Sequence, residues 1–264
     1  MIKIGIDPVI VGNIRWYGVF IALAILTLIG WVAWQKKRGA DISYDTIFSA
    51  ALVGIPSGIV FSRLMHVLDY WEYYSQNPGQ IIGGAGLAIY GAILGAALGI
   101  WVYSRFAKIN YGYLTDLIAP GLILAQIVGR IGCTINGCCG GVVCDLPWAI
   151  TYTNPNTEAT IGLFVHPVTI YEIIFLAITF VFIYRVRDRF TPDGSLFMIY
   201  LSLYAAWRLG IDFLRPGTPF LPSIPVISTL HESQVISIVV LLIMIPLLIK
   251  RTRWRRKEEV QAGK

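Results

Sequence analysis

A chain of 264 residues that is 56% hydrophobic and only 14% charged is not an ordinary soluble domain, which carries roughly 25% charged residues. Its mean hydropathy of +0.68 places it in the membrane. The net charge of +6 is no argument for nucleic-acid binding. The basic residues lie in short stretches beside apolar runs, where they act as topology signals and anionic-lipid contacts.

In chain order, the apolar runs predict seven spans at approximately 16–34, 46–66, 82–103, 114–132, 168–184, 195–213 and 232–249. Each has about the length that a hydrocarbon core of ~30 Å requires. No removable signal peptide is evident before the first span, so that span is expected to be retained. Lys36, Lys37 and Arg38 follow the first run, Arg105 and Lys108 the third, and Arg185, Arg187 and Arg189 the fifth. The tail after the seventh run is basic again. Positive charge at every second boundary marks cytoplasmic loops. The expected fold is therefore an all-α polytopic membrane protein of seven transmembrane helices, with the N-terminus outside and the C-terminus inside. Its membrane domain occupies 1–250 and a basic cytoplasmic tail 251–264.

Between the spans, DYWEYYSQNPGQ has the Tyr and Trp content of an interfacial segment. The connection 133–166 is the longest, and RPGTPFLPSIPVISTLH is Pro-rich and expected to be irregular. Gly91, Gly95 and Gly99 recur every fourth residue in the third span, the pattern of close helix packing in lipid. Gly83, Gly84 and Gly86 would suit a bent, non-helical mouth lining a cavity.

Six basic residues stand outside the alternation: Lys3, Arg15, Arg63, Arg130, Arg208 and Arg215. Arg63, Arg130 and Arg208 fall inside apolar runs or at their outer ends, where a guanidinium is costly. At 1.5 Å per residue, Arg130 lies about 24 Å and Arg208 roughly 20 Å from the inner edge. Tyr17, Tyr90 and Glu172 occupy the outer halves of other spans, and Asp212 lies one turn beyond Arg208. One reading pairs each arginine with Glu172, Asp212 or Asp116 as a register lock, with Arg63 snorkelling to the headgroups. The other is a site with surplus positive charge, suited to the phosphate of a phospholipid because guanidinium binds its oxygens bidentately.

Four segments together resemble the prolipoprotein diacylglyceryl transferase family of bacterial membranes. They are RWYG (15–18), GLAIYGAILGA (86–96), QIVGRIGCTINGCCGG (126–141) and HPVTIYE (166–172). WRLGIDFLRP (207–216), FSRL around Arg63 and ESQ (232–234) also fit, so the match covers nearly the whole chain. The resemblance implies a bundle in the bacterial cytoplasmic (inner) membrane that opens laterally to lipid, with its active site toward the outer leaflet. It further implies transfer of the diacylglyceryl group of phosphatidylglycerol to the lipobox cysteine of a prolipoprotein signal peptide. A thioether forms and glycerol phosphate leaves; no cofactor and no metal is expected. Arg130 and Arg208 would be the essential pair near the headgroup, with Tyr17, Asn136 and Glu172 lining the same site. Arg63, Asp212 and His166 are added as substrate-binding candidates and Tyr90 as a catalytic one; His66 and His231 are read as interfacial.

The chain departs from the family pattern at three positions. Tyr90 stands where a histidine is common, and Cys133 and Cys138 stand where Asn and Glu are usual, as in a divergent, Cys-rich member. All four cysteines fall in the spacing C-x4-C-C-x4-C. One or two disulfides are the expectation on an oxidising outer face; metal ligation lacks the usual C-x2-C arms, and a redox role is the remaining option. The alternative functions are a paralogue binding phospholipid with another acceptor, or a membrane thiol oxidoreductase using the 133–144 cluster. A channel or transporter would need polar groups continuing inward, where only Asp116 and Gln126 are candidates.

Overall fold

The computed structural model describes residues 1–12, 14–82, 89–216 and 230–254. Among the described residues, eight helices carry the fold: α1 (Trp16–Lys37), α2 (Tyr44–Asp69), α3 (Trp71–Gln76), α4 (Ile89–Phe106), α5 (Tyr111–Asn136), α6 (Val168–Val186), α7 (Ser195–Ile211) and α8 (Glu232–Arg251). Among the described residues, six helices are long and apolar enough to cross a membrane, by length and composition. They match the predicted spans at all positions but the third. There α4 offers a shorter apolar stretch, Gly91–Phe106, and residues 83–88, where a bent mouth was expected, lie outside the described residues. So do most of the Pro-rich connection (217–229) and the tail from 255 onward.

The chain divides into two compact units. Unit 2 (Val32–Leu114) is built on α2 against α4. Ser43 caps α2 by accepting a hydrogen bond from the Thr46 backbone N–H at 3.0 Å. A Cβ on Gly91 would overlap the Phe61 carbonyl, on Gly95 the Phe61 side chain, and on Gly99 the Ser57 hydroxyl. The three glycines thus form the face on which the α2 backbone rests, as small residues do between helices in lipid.

Unit 1 (Met1–Trp31 and Thr115–Lys264) holds α5, α6, α7 and α8. Its core is Ile123 of α5, Leu176 and Ile183 of α6, and Leu196 and Tyr200 of α7, all buried. Trp31 closes one side. Its indole N–H donates to the Leu117 carbonyl at 3.0 Å, and its ring lies where a side chain on Gly121 would be. Asp116 accepts hydrogen bonds from the backbone N–H groups of Gly194 and Phe197, both at 2.8 Å. It therefore satisfies the orphan donors at the start of α7 and is not a partner for the intramembrane arginines. Gln126, the other inner polar candidate, accepts from the Tyr200 hydroxyl at 2.7 Å.

Outside the helices, β1 (Ile2–Ile4) pairs in parallel with β4 (Ile150–Tyr152), Ile2 opposite Ile150. β2 (Val9–Val11) folds back on β3 (Ile14–Arg15), leading straight into α1. Asp7 accepts from the Val9 backbone N–H at 2.9 Å, and both of its carboxylate oxygens accept from Asn156 Nδ2 at 3.1 Å. Those bonds hold its carboxyl below the usual carboxylate range and tie the N-terminal hairpin to the 150s loop. β5 (Phe190–Thr191) pairs with β6 (Arg253–Trp254) at the opposite end of the helices.

Gly95→Leu should overpack the α2–α4 contact and cost about 1–3 kcal/mol, read as a fall in unfolding temperature in detergent. Gly30→Ala, whose added Cβ meets nothing within 4 Å, should change stability by less than about 0.5 kcal/mol.

Candidate active site

The C-terminal parts of α5 and α7 and the N-terminal part of α6 carry the polar residues that the apolar spans do not explain. Arg130 on α5 forms an ion pair with Glu172 on α6, Nη2 to Oε1 at 2.9 Å. Glu172 is almost fully buried, with 1% exposure of its side chain, against 20% for Arg130. The same carboxylate oxygen accepts from the Tyr204 hydroxyl of α7 at 3.0 Å. Three helices are thereby joined at one carboxylate. Tyr204 and Arg208 are one helical turn apart on α7, where residues i and i+4 share a face. Tyr204 lies within the electrostatic reach of both Arg130 and Arg208.

Arg208 pairs in turn with Asp212, Nη2 to Oδ1 at 3.0 Å. Asp212 opens the 3-10 turn (Asp212–Leu214) that ends α7, and its other oxygen accepts from the Ser233 hydroxyl of α8. Gln234 locks the start of α8: its Oε1 accepts from the His231 backbone N–H at 3.0 Å, while its amide donates to the Leu209 carbonyl.

Each arginine therefore has its own acid, and the surplus of positive charge expected at these two positions is not what the pairing shows. Charge balance does not exhaust the donors, however. Arg208 Nη1 and Glu172 Oε2 are buried with no hydrogen-bond partner among the described residues. Arg130 Nη1 points only at sulfur, 4.0 Å from Cys133 Sγ and 3.8 Å from Cys139 Sγ, and thiols are weak acceptors. Leaving a buried polar atom unsatisfied costs roughly 1–3 kcal/mol. Both guanidinium groups are anchored on a carboxylate by one nitrogen; Arg208 Nη1 keeps a donor open to an anionic ligand, and Arg130 Nη1 keeps one held only by sulfur.

The cysteines follow from how α5 stops. Gly137 has φ +78°, and its N–H bonds the Cys133 carbonyl at 2.9 Å. That left-handed cap reverses the chain, bringing Cys138 and Cys139 back over Cys133. A side chain at Gly137 would also collide with Thr157. All four cysteines are free, contrary to the expected one or two disulfides. Consecutive Cα atoms are 3.80 Å apart, short of the 4.4–6.8 Å that a disulfide usually spans, so Cys138 and Cys139 are poor partners despite sulfurs 3.7 Å apart. Hydrogen bonding with Cys133 and Cys139 pushes the Cys138 thiol well above its ordinary range. Hydrogen bonds from Cys133 and Cys138, helped by Arg130 and Arg215, draw Cys139 well below it.

The remaining predicted residues divide by unit. Asn136, buried at the end of α5, accepts from Arg15 Nη1 at 3.1 Å, and Arg15 also pairs with Glu158 at 3.6 Å. Tyr17, the second residue of α1, lies in electrostatic reach of Arg130 and the three cysteines. The close approach of α1 to α5 is permitted by Gly132, where a Cβ would meet Phe20. His166 stacks edge-on against Tyr171 at 6.3 Å, and its Nδ1 is buried without a partner. Tyr152, hydrogen-bonded through its hydroxyl to the Thr134 carbonyl at 2.8 Å, is pushed up to about 12 by burial and the neighbouring thiols. Arg63 and Tyr90 belong to unit 2. Arg63 donates to the carbonyls of Ile81, at 2.9 Å, and Gln80, and lies 5.0 Å over the Tyr74 ring. The Tyr90 side chain lies outside the described residues, as does that of Glu232. Tyr204 escaped the sequence reading, and its signal was its place one turn before Arg208; Arg15 was singled out there as a basic residue outside the alternation, without a partner assigned.

The sequence of the chain matches the family model for prolipoprotein diacylglyceryl transferase over residues 8–250. The chain belongs to that family. Among its relatives, the phosphatidylglycerol–prolipoprotein diacylglyceryl transferase of Dehalococcoides mccartyi is 45% identical over 263 residues, 98% of this chain and 99% of its own length. Proteins of the same name from Clostridium novyi (over 90% of this chain and 91% of its own length) and Clostridioides difficile (86% of each) are both 32% identical. In this member of the transferase family, Arg130, Glu172 and Tyr204 join α5, α6 and α7.

Glu172→Gln removes the charge that holds Arg130 and should cost about 3–5 kcal/mol, as breaking one partner of a buried pair does. Asp188→Asn, at the more exposed Arg187 pair, should cost under about 1 kcal/mol. Chemical or thermal unfolding of the two variants side by side checks the contrast.

Proposed function

We propose that this chain transfers the diacylglyceryl group of phosphatidylglycerol to the lipobox cysteine of a prolipoprotein, in a bacterial inner membrane. Family membership supports the reaction class, and the relatives carry that activity in their names. The observation that carries the residue assignment is the pair of anchored arginines: Arg208 Nη1 has no partner among the described residues, and Arg130 Nη1 meets only the weak thiol acceptors of Cys133 and Cys139. In this reading the acceptor sulfur attacks C3 of the lipid glycerol. A C–S bond forms as the C–O bond to phosphate breaks, and the electron pair leaves on glycerol phosphate. The thiol proton departs to a base or to solvent, since thiolate is the nucleophile. Negative charge grows on the leaving phosphate, and fixed guanidinium donors in a water-poor site stabilise it.

Arg130 and Arg208 are assigned to the phosphate, Glu172 and Asp212 to holding them. Tyr17, Asn136 and His166 are substrate-binding residues of the same unit. Arg63 and Tyr90 are proposed as a substrate-binding and a catalytic residue on the family resemblance of their segments and their place in the outer parts of their spans. The basic loops support seven crossings with the N-terminus outside, the C-terminus inside and the active site toward the outer leaflet. Residues 1–250 then form the membrane transferase domain and 251–264 the cytoplasmic tail.

Purified protein given labelled phosphatidylglycerol and a lipobox peptide should form the diacylated peptide. Arg208→Ala should lower the rate by about 10²–10³, the loss typical of one charge-stabilising donor. Full activity in Arg208→Ala, with loss of function in Cys138→Ala, would point to thiol redox chemistry instead.

A further inference from the structure

Three sulfurs converge at the end of α5: the Sγ atoms of Cys133, Cys138 and Cys139 all lie within 4.8 Å of one another. The proposed transfer reaction uses none of them. Zinc binds thiolate at about 2.3 Å in tetrahedral geometry, which sets two coordinated sulfurs about 3.8 Å apart. Cys138 and Cys139 already stand at 3.7 Å. Cys133 is buried, Cys139 partly buried and Cys138 exposed, so the cluster is held on the protein side and open to an entering ion.

We propose that Cys133, Cys138 and Cys139 form a three-thiolate site for Zn²⁺, beside Arg130. Binding sends the remaining thiol protons to solvent, and the zinc with three thiolates carries a net charge of −1. The Arg130 guanidinium, 4.0 Å and 3.8 Å from two of the sulfurs, is placed to balance it. Three protein ligands leave the fourth tetrahedral position to an exchangeable donor, as in sites that are not purely structural. The chelate closes because Gly137 turns the chain back on the helix, which compensates for the lack of C-x2-C arms. Cys144 is not part of the cluster and serves as the internal control.

The test measures metal, not lipid transfer, so the site and the proposed reaction stand or fall separately. Full-length protein, loaded with zinc and freed of excess, should hold about one zinc per chain by elemental analysis. Cys133→Ser and Cys139→Ser should each lower that content at least about tenfold, while Cys144→Ser keeps it. In folded wild type loaded with zinc, a thiol reagent should reach Cys144 and spare the other three until a chelator is added. Cobalt in place of zinc should give thiolate-to-metal charge-transfer absorption. Zinc-free protein after loading, equal loss in Cys144→Ser, or all four thiols reacting in the loaded protein would overturn the proposal. The thiol count on wild type decides the matter even if a serine variant fails to fold.

Discussion

The Glu172 carboxylate is the point from which the arrangement of unit 1 can be derived. It is buried on α6, it holds the Arg130 guanidinium of α5, and it takes the Tyr204 hydroxyl of α7. A charge so deeply buried is costly unless paired and hydrogen-bonded, and here it is both. Helices in lipid gain little from hydrophobic contact with one another, so polar bonds and close packing decide which faces meet. Small residues supply the packing at Gly121 and Gly132. The carboxylate supplies the direction, fixing Arg130 by one nitrogen and leaving the other to face the cysteines.

A second, similar device ends α7. Asp212 holds Arg208 from the next turn and is itself held by Ser233 on α8. Both arginines are thus rigid before any ligand arrives, which is what electrostatic preorganisation requires. A lysine, with a flexible stem and a point charge, would not keep one donor anchored and another free in the same way. The neutral pairing also explains how two arginines are tolerated in apolar spans, and it replaces the idea of excess charge with one of unfilled donors.

Much of this architecture was legible in the residues. Apolar runs and basic boundaries are bulk signals, and six of the predicted spans coincide with helices of membrane length. The third differs because its first residues, 83–88, fall outside the described part of the chain. Arg130, Glu172, Arg208 and Asp212 stood out because charge in an apolar run demands a reason. Pairing with Glu172, Asp212 or Asp116 was one of the two readings, but the choice for Arg130 was not legible: Arg130 and Glu172 are on different helices, and nothing local distinguishes Glu172 from Asp116 as the partner. Asp116 instead serves the start of α7, a capping role invisible without the fold. The cysteines were misread for a similar reason. Their spacing suggests disulfides, but the left-handed turn at Gly137 stacks three sulfurs beside a guanidinium. Arg15 was conspicuous as an outer-side cation, yet its bond to Asn136 joins positions 121 residues apart.

The central claim is that the unpartnered donor of Arg208, with the Arg130 guanidinium, holds a lipid phosphate. Native mass spectrometry of the purified protein, with phosphatidylglycerol and uncharged diacylglycerol offered together, tests it directly. The account predicts retention of phosphatidylglycerol over diacylglycerol in the wild type, and loss of that preference in Arg208→Gln with the fold intact. Equal retention of the two lipids by the wild type, or an unchanged preference in Arg208→Gln, would contradict it.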